Sequence, residues 1–333
     1  MILNFKHNQS SHCENGVISN LLKHYGINVS EAMIFGSGSG LFFGYMPFLK
    51  LNKIPVATFR PVPGIIFKRA TKRMGIRIFK RSFKNPKKAM DALDMALEQG
   101  RPVGLQVGAY HLTYFPRALR FHFNMHNIVV YGKEGNTYYI SDPVLENTTT
   151  LTREELIKVR YAKGPFAPNG KMYYPVSFPE KISIESAIKK GISQTCYHML
   201  NIPLPLFGIK GIRYFAKRME KWPQKLGDKN AAVWLGQFIR MMEEIGTGGA
   251  GFRFIYAAFL QESATILNKP DLKKLSTDMT EIGDRWREFS VNAARNCKGR
   301  GEKIITYSEL SQMLKNIADK EEILFKQLKK IIQ

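Results

Sequence analysis

The sequence predicts an α+β fold for its first part and an all-α fold for its second part. Residues 101–107 and 125–143 contain the β-rich runs and turn residues of strands, whereas the segments from residue 183 onward have the apolar periodicity of helices. A loop between these regions is interrupted by Pro165, Pro168, Pro175 and Pro179. We therefore predict one domain over residues 1–178 and a helical domain over residues 179–333.

The first helix is predicted over residues 13–25, because its apolar side chains fall on one stripe and Gly26 can end it. A second, short helix is predicted from a cap at Ser30 to Phe35. The glycine-rich segment GSGSG follows at residues 36–40. It lacks the strand–GxGxxG–helix context and the lysine of nucleotide-binding loops, so we expect its glycines to allow close backbone approach to a substrate or a packed neighbour.

Three further elements are predicted before the hairpin and after it. Residues 85–100 form a predicted helix with Pro86 in its first turn and a glycine at its end. Residues 101–107 form a buried strand, and residues 152–160 form a short helix. The helices of the second domain are predicted over residues 183–200, 211–222, 230–246, 252–267, 270–296 and 306–333.

The segment MHNIVVYGKEGNTYYISDP, residues 125–143, predicts a β-hairpin. If its turn centres on Glu134, paired residues have numbers that sum to 268, and His126 lies directly opposite Asp142. Directly opposed side chains have Cβ atoms about 5 Å apart, which lets a carboxylate hold a histidine ring. We therefore predict a contact between His126 and Asp142.

Composition limits the classes of protein to consider. The chain has 333 residues, of which 44% are hydrophobic and 12% aromatic, so it can form substantial cores. It has no apolar run of the roughly 20 residues that span a bilayer, and its start, MILNFKHNQS, lacks the pattern of a signal peptide. We therefore expect a cytoplasmic protein. Its three cysteines, Cys13, Cys196 and Cys297, include no CxxC pair, which disfavours disulfide frameworks and thiolate zinc sites.

The chain is strongly basic, with a formal net charge of +23. Residues 68–88 carry ten lysines and arginines and no acidic residue, and such a patch attracts polyanions. Zinc-finger spacing, an RNP-like aromatic signature and a basic zipper are all missing from the sequence, so we do not expect a nucleic-acid partner. The patch can serve an acidic protein such as an acyl carrier protein, a peripheral contact with an anionic membrane, or only a solvated surface.

Cys13 is a candidate nucleophile because it begins the first predicted helix. The N–H groups and the dipole at a helix start favour a thiolate, and the backbone N–H of Cys13 can contribute to an oxyanion hole. A histidine that holds the thiol proton and a carboxylate behind that histidine complete a triad, for which we propose His126 and Asp142. A cysteine on an early helix, followed by a histidine and then an aspartate on successive strands, is the papain-type order. Each residue alone has a simpler structural interpretation, and their combination favours the triad.

Other histidines and cysteines give weaker patterns. His122 and His126 lie four residues apart, but the segment has the pattern of a strand and lacks the glutamate of HExxH, so we predict no metal site. If His126 is not the base, His111 and His122 are the next candidates. Cys196 and His198 lie on different faces of one predicted helix, and we interpret them as core and surface residues.

Four segments of the chain carry a family resemblance. They are HCENGVISNLLKHYGINVSEAMIFGSGSGLFFGY, GRPVGLQVGAYHLTYF, HNIVVYGKEGNTYYISDP and GTGGAGFRFIYAAFLQESA. The first three resemble the N-terminal domain of the BtrH-type acyltransferases, which are named for a step in butirosin biosynthesis. The fourth is similar to the helical domain that commonly accompanies it, so the resemblance covers nearly the whole chain.

This resemblance implies a papain-like cysteine enzyme in secondary-metabolite or lipid biosynthesis. Such an enzyme takes an acyl group from an acyl-carrier-protein or coenzyme A thioester and passes it to an amine or hydroxyl of a small molecule or lipid. The nucleophile falls on Cys13, the base on His126 and the orienting carboxylate on Asp142. The resemblance implies no bound cofactor, since phosphopantetheine arrives with the donor, and a helical domain that binds the acceptor or a partner.

Two positions depart from the family pattern. Papain-like enzymes usually have an oxyanion-hole glutamine six residues before the cysteine, where this chain has His7. Neither Gln9 nor His12 has the spacing to replace it, so the sequence leaves the oxyanion donor open. Gly108 and Ala109 stand where we expect an acidic residue in many relatives, which leaves acceptor recognition open as well.

Two other functions remain open at the level of sequence. The same triad can hydrolyse a peptide or an amide. Alternatively, the chain is a basic binding protein without catalysis that acts on a membrane or on nucleic acid. An acyl group detected on Cys13 would separate both enzyme hypotheses from the third.

Overall fold

The structure, a computed structural model, describes residues 1–51, 53–299 and 305–332. Within them the chain forms twelve α-helices and eight strands. The helices are α1 (Cys13–His24), α2 (Glu31–Ser37), α3 (Ile65–Arg73), α4 (Pro86–Glu98), α5 (Arg153–Arg160), α6 (Ile184–Leu200), α7 (Gly208–Glu220), α8 (Trp222–Leu226), α9 (Asp228–Glu243), α10 (Arg253–Ile266), α11 (Pro270–Lys298) and α12 (Tyr307–Ile332). The strands are β1 (Gly44–Leu51), β2 (Ile54–Thr58), β3 (Arg77–Arg81), β4 (Val103–Val107), β5 (His126–Glu134), β6 (Thr137–Ser141), β7 (Thr149–Thr152) and β8 (Met172–Ser177).

The chain divides into two compact units, each built from two segments. The first comprises residues 1–34 and 71–183, and the second comprises residues 35–70 and 184–333. The predicted division at residue 178 differs from this one because residues 35–70 belong to the helical unit. Aromatic side chains of this segment explain the difference, since the rings of Phe43 and Phe59 lie 6.3 and 5.9 Å from the ring of Trp286 in α11.

The first unit is α+β, as predicted. Its six-stranded sheet has the order β3-β8-β4-β5-β6-β7, and every neighbouring pair is antiparallel. The main core includes the fully buried side chains of Leu93 from α4, Leu105 from β4, Ile128 from β5 and Leu156 from α5. Helix α1 packs across β4, β5 and β8, which brings its first residue to the sheet.

The predicted hairpin is formed by β5 and β6, but its predicted register is wrong. Glu134 pairs with Thr137, so the turn consists of Gly135 and Asn136. Gly135 has a φ of 56°, and a two-residue hairpin turn needs positive φ at its first central position. The turn therefore lies later in the chain than the predicted centre at Glu134.

A bulge changes the register further along the same hairpin. Val130 pairs with Ile140 instead of Tyr138, and the register shifts between Val130 and Gly132. Strand β6 ends at Ser141, so Asp142 lies beyond the last paired residue instead of directly opposite His126.

Strand β8 lies in a segment that the sequence predicts as a loop. Pro175 is compatible with a strand that lies between two neighbours, because the pairing of β8 with β4 covers only Met172 and Tyr173. Pro175 pairs with Ile78 of the neighbouring β3 alone. The missing N–H of this proline therefore removes no bond to β4.

The second unit is helical apart from the β1–β2 hairpin, and the predicted helices correspond to α6, α7, α9, α10, α11 and α12. The glycine-rich segment serves packing within this unit. A side chain at Gly36 would overlap the ring of Phe259, and one at Gly40 would overlap the ring of Phe35. The Ser39 hydroxyl donates a hydrogen bond of 3.1 Å to the carbonyl oxygen of Gly191. Among the residues that the structure describes, no helix has both the length and the apolar composition to cross a membrane.

Candidate active site

The start of α1 is held in place by hydrogen bonds on both sides of Cys13. His12 is the N-cap, and its Nδ1 accepts a hydrogen bond from the backbone N–H of Asn15. The backbone N–H groups of Ser11 and His12 donate to the carboxylate of Glu31, at 3.0 and 2.6 Å. Cys13 is the first residue of the helix, and its side chain is buried, with 8% of the residue exposed.

Gly16 allows α1 to lie directly against the segment that follows Asp142. The backbone N–H of Ser10 donates to the carbonyl oxygen of Pro143 at 2.6 Å. A Cβ atom at Gly16 would lie 2.6 Å from the Cβ atoms of both Ser10 and Pro143. Because real Cβ atoms do not approach so closely, a glycine is needed here to bring the Cys13 helix and the Asp142 segment together.

His126 and Asp142 form the predicted contact even though their predicted register is wrong. His126 Nε2 donates to Asp142 Oδ2 at 2.7 Å, and only 5% of His126 and none of Asp142 is exposed. The Tyr114 hydroxyl donates to the same Oδ2 at 2.8 Å, and the backbone N–H of Val144 donates to Oδ1 at 3.2 Å. The ring of Phe115 lies edge-on to His126 with centroids 5.3 Å apart. The carboxylate and the imidazole are thus both held in one orientation.

The surroundings of His126 favour its charged form. Burial by itself lowers the pKa of this histidine, but negative charge on Asp142 and Cys13, together with hydrogen bonds to both, raises the pKa to about 10. The pKa of Tyr114 is raised well above its usual value by burial and by Asp142, so its hydroxyl stays protonated and donates. The cluster therefore favours an imidazolium at His126, in contact with the Asp142 carboxylate and the Cys13 sulfur.

The three residues considered for the oxyanion hole are engaged elsewhere or exposed. His7 Nδ1 is hydrogen-bonded to Ser141 Oγ at 2.7 Å, and its Nε2 donates to the carbonyl oxygen of Leu145 at 3.1 Å. His12 caps the helix through Nδ1, and Gln9 is exposed.

Asn127 is a site residue that the sequence reasoning missed. Its Nδ2 lies 4.0 Å from Cys13 Sγ, and its Oδ1 accepts a hydrogen bond of 2.8 Å from the Tyr173 hydroxyl. An amide next to His126 in the otherwise apolar strand HNIVVY was the available signal, because a buried polar side chain needs a partner.

The other histidines and cysteines considered for the site lie in different environments from the three residues of the cluster. The ring of His122 stacks on Tyr110 at 4.1 Å, and His111 lies edge-on to the same tyrosine. In the second unit, burial raises the pKa of Cys196 to about 12, and Cys297 Sγ donates to a backbone carbonyl oxygen. Over the described ranges, no group of three His, Cys, Asp or Glu side chains is arranged to hold a metal ion.

The family comparison covers all three residues of this cluster. Residues 12–143 match the family model described as butirosin biosynthesis protein H, N-terminal, and residues 154–328 match the domain of unknown function DUF4872. The chain is a member of the BtrH-type family. Family membership and the Cys13–His126–Asp142 arrangement together are those of a papain-like cysteine enzyme.

Individual proteins that resemble this BtrH-type protein are found among solved structures. No curated protein matches its sequence. Among solved structures, it is similar to a protein from Bacillus anthracis described as a candidate C39-like peptidase, with 14% sequence identity and a TM-score of 0.36. That similarity covers 54% of this chain and 98% of the other.

Proposed function

We propose that this BtrH-type protein is an acyltransferase that works through an acyl-Cys13 intermediate. The proposal is carried by one observation: the 2.7 Å hydrogen bond between His126 Nε2 and Asp142 Oδ2, in a cluster whose third member is the thiol at the start of α1. Asp142 occupies Nε2, so Nδ1 is the histidine nitrogen that faces Cys13. This is the arrangement in which a carboxylate fixes the tautomer of the base.

The first half-reaction is an exchange of thioesters. The Cys13 thiolate attacks the carbonyl carbon of the donor thioester, and a carbon–sulfur bond forms as the carbonyl oxygen becomes an oxyanion. The intermediate then collapses, the bond to the donor sulfur breaks, and the His126 imidazolium gives its proton to the departing thiolate. The products are acyl-Cys13 and the free thiol of the donor.

The second half-reaction returns Cys13 to its starting state. An acceptor amine or hydroxyl attacks acyl-Cys13, and neutral His126 Nδ1 takes the proton from the attacking atom. Collapse of this second intermediate breaks the bond to Cys13 Sγ and leaves the thiolate beside the imidazolium. Asp142 stabilises the imidazolium at both stages.

Burial of the cluster favours transfer over hydrolysis. Cys13, His126 and Asp142 are all less than a tenth exposed. A transferase has to keep water away from its acyl-enzyme, whereas a hydrolase has to admit it.

The test is the fate of preformed acyl-Cys13. We expect the acyl-enzyme to persist in buffer and to decay when an amine or alcohol acceptor is added, with the acylated acceptor as product. Decay in buffer at the same rate, with free acid as the only product, would instead identify a hydrolase.

We further propose that the donor is carried by an acidic acyl carrier protein. In the basic patch, residues 68–88, the segment 72–88 belongs to the first unit and supports this proposal because most of its charges reach solvent. Its exposed basic residues are Lys72, Arg77, Lys80, Arg81, Lys84, Lys87 and Lys88. Charges of this kind act mainly on the association rate, and salt screens them over about 8 Å near physiological ionic strength.

Charge reversal tests the role of the patch. We expect Lys72→Glu, Arg77→Glu and Lys80→Glu together to raise KM for a carrier-bound donor and to spare a small acyl thioester. A control with the same change of charge replaces three exposed lysines of the second unit: Lys189, Lys190 and Lys210. Equal effects of both triple variants, or none from either, would exclude the patch as the docking surface.

A further inference from the structure

The donor that stabilises the oxyanion is not at its usual position in this chain. His7 stands six residues before Cys13, and both of its ring nitrogens are used by Ser141 and Leu145. The backbone N–H of Cys13, at the helix start, supplies one hydrogen-bond donor for the oxyanion. A side chain beside the sulfur can supply a second donor.

Asn127 lies on the face of the sheet that α1 covers. Helix α1 packs against β5, and Nδ2 of Asn127 lies 4.0 Å from Cys13 Sγ at the start of that helix.

Hydrogen bonds establish which end of this amide faces the sulfur. The amide atom 3.0 Å from the carbonyl oxygen of Met125 has to be the nitrogen, because a carbonyl oxygen can only accept. The other end, Oδ1, then accepts from the Tyr173 hydroxyl at 2.8 Å. One N–H of Nδ2 is used by Met125, and its second N–H is available toward Cys13.

We propose that Asn127 is the oxyanion-hole side chain of this enzyme and that Tyr173 is its positioning residue. This inference rests on the proposed acyl transfer through Cys13. An oxyanion donor acts from about 3 Å. A nitrogen 4.0 Å from the attacking sulfur is close enough to reach an oxygen on the carbon that this sulfur attacks.

The surroundings keep this donor in place. Asn127 is 9% exposed and Tyr173 is 4% exposed. Burial and the negative charges of Glu14 and Cys13 raise the pKa of Tyr173 well above its usual value, so its hydroxyl stays protonated and keeps donating to Oδ1. A donor fixed in a site that excludes water stabilises a developing charge more strongly than one in solvent.

The step that Asn127 assists is the addition of the thiolate. As the bond from Cys13 Sγ to the carbonyl carbon forms, the electron pair of the carbonyl bond moves to oxygen, and Nδ2 of Asn127 donates its N–H to that oxygen. When the carbonyl re-forms, the bond to the donor sulfur breaks, and that sulfur takes the proton of His126.

The experiment compares two reactions of the same sulfur. Acylation by a small acyl thioester passes through an oxyanion, whereas alkylation by iodoacetamide is a displacement that forms none. For Asn127→Ala we expect acylation of Cys13 to slow by about 10²-fold or more, the usual effect of removing one oxyanion donor. Alkylation is expected to keep its wild-type rate and pH profile. Tyr173→Phe should show a smaller loss in acylation alone.

The outcomes separate this inference from the function on which it rests. If wild-type Cys13 is not acylated at all, the proposed acyl transfer fails. If the wild type is acylated and Asn127→Ala is acylated equally fast, the oxyanion role is wrong. Equal losses in acylation and alkylation would also overturn it, since they would assign Asn127 to stabilising the thiolate. If Asn127→Ala does not fold, Tyr173→Phe decides by the same two rates.

Discussion

Both units of this protein bury an ion pair, and the two pairs differ in what their partners can do. In the second unit, Arg253 and Glu321 have fully buried side chains, with Arg253 Nε 2.9 Å from Glu321 Oε1. The same oxygen accepts from the indole N–H of Trp286 at 2.7 Å, and Arg253 Nη1 donates to the carbonyl oxygen of Gly251 at 2.9 Å. In the first unit, His126 and Asp142 form a pair of similar burial beside Cys13.

The difference separates a structural ion pair from a reactive one. An arginine keeps its charge under all conditions in which proteins fold, so the Arg253–Glu321 pair can only be formed or broken. A histidine can bind and release a proton, and here it lies between a carboxylate and a thiol. The positive charge of the His126–Asp142 pair is therefore mobile, since its proton can leave, whereas that of the Arg253–Glu321 pair is fixed.

Among substitutions that leave the nucleophile in place, Asp142→Asn should give the largest effect on activity. The amide cannot stabilise the His126 imidazolium, and loss of the corresponding carboxylate in a triad lowers turnover by about 10⁴-fold. The measurement is the rate of acyl-Cys13 formation from a small thioester. A variant with near wild-type turnover would show that Asp142 is not part of the reactive cluster.

Glu321→Gln should give the largest effect on stability. It leaves the charge of Arg253 buried without its partner, which costs about 3–5 kcal/mol of unfolding free energy. The double variant Arg253→Met with Glu321→Leu should recover most of that loss. Asp142→Asn should cost less in denaturant unfolding, because His126 can release its proton. A smaller loss for Glu321→Gln than for Asp142→Asn would contradict the contrast between fixed and mobile charge.

The same glycine substitution in one helix of each unit sharpens the contrast further. In Gly16→Ala the new Cβ meets Ser10 and Pro143, so we expect about 1–3 kcal/mol of destabilisation and slower acylation as α1 shifts. Gly236→Ala in α9 places its Cβ in open space and should be neutral or stabilising by up to about 1 kcal/mol. Thermal unfolding and acylation rates of both variants give the comparison. Equal behaviour of the two would exclude the close approach at Gly16.

The pH dependence of stability gives a further contrast, because His126 of the first unit titrates between neutral and alkaline pH. The pKa of His126 is raised from 6.5 to about 10 in the folded protein. Its contribution is therefore fully present below pH 6.5, and it is lost as the pH rises toward 10. Wild-type unfolding free energy should fall more steeply over this range than that of His126→Gln. Parallel curves for the two proteins would show that the imidazolium does not stabilise the fold.

The sequence predicted which residues meet at the candidate site better than it predicted the strand register. The His126–Asp142 contact was predicted from a register that is wrong, whereas Cys13 at a helix start could be predicted from a short pattern. The register could not, since it depended on Gly135 beginning the turn and on a bulge after Val130.

Features that depend on long-range packing were missed. Strand β8 was hidden by Pro175, and its place between β3 and β4 follows from pairing with distant segments. Asn127 was missed because its position at the sulfur requires both α1 on the sheet and the Tyr173 hydroxyl of β8.

Cys13 as the nucleophile is the claim on which the proposed function rests, and intact-protein mass spectrometry tests it most directly. We expect wild-type protein incubated with an acyl thioester to gain the mass of one acyl group, and peptide mapping to locate that group on Cys13. Cys13→Ala should stay unmodified while it keeps the wild-type melting temperature. An adduct on Cys196 or Cys297, or an adduct that survives in Cys13→Ala, would contradict the claim.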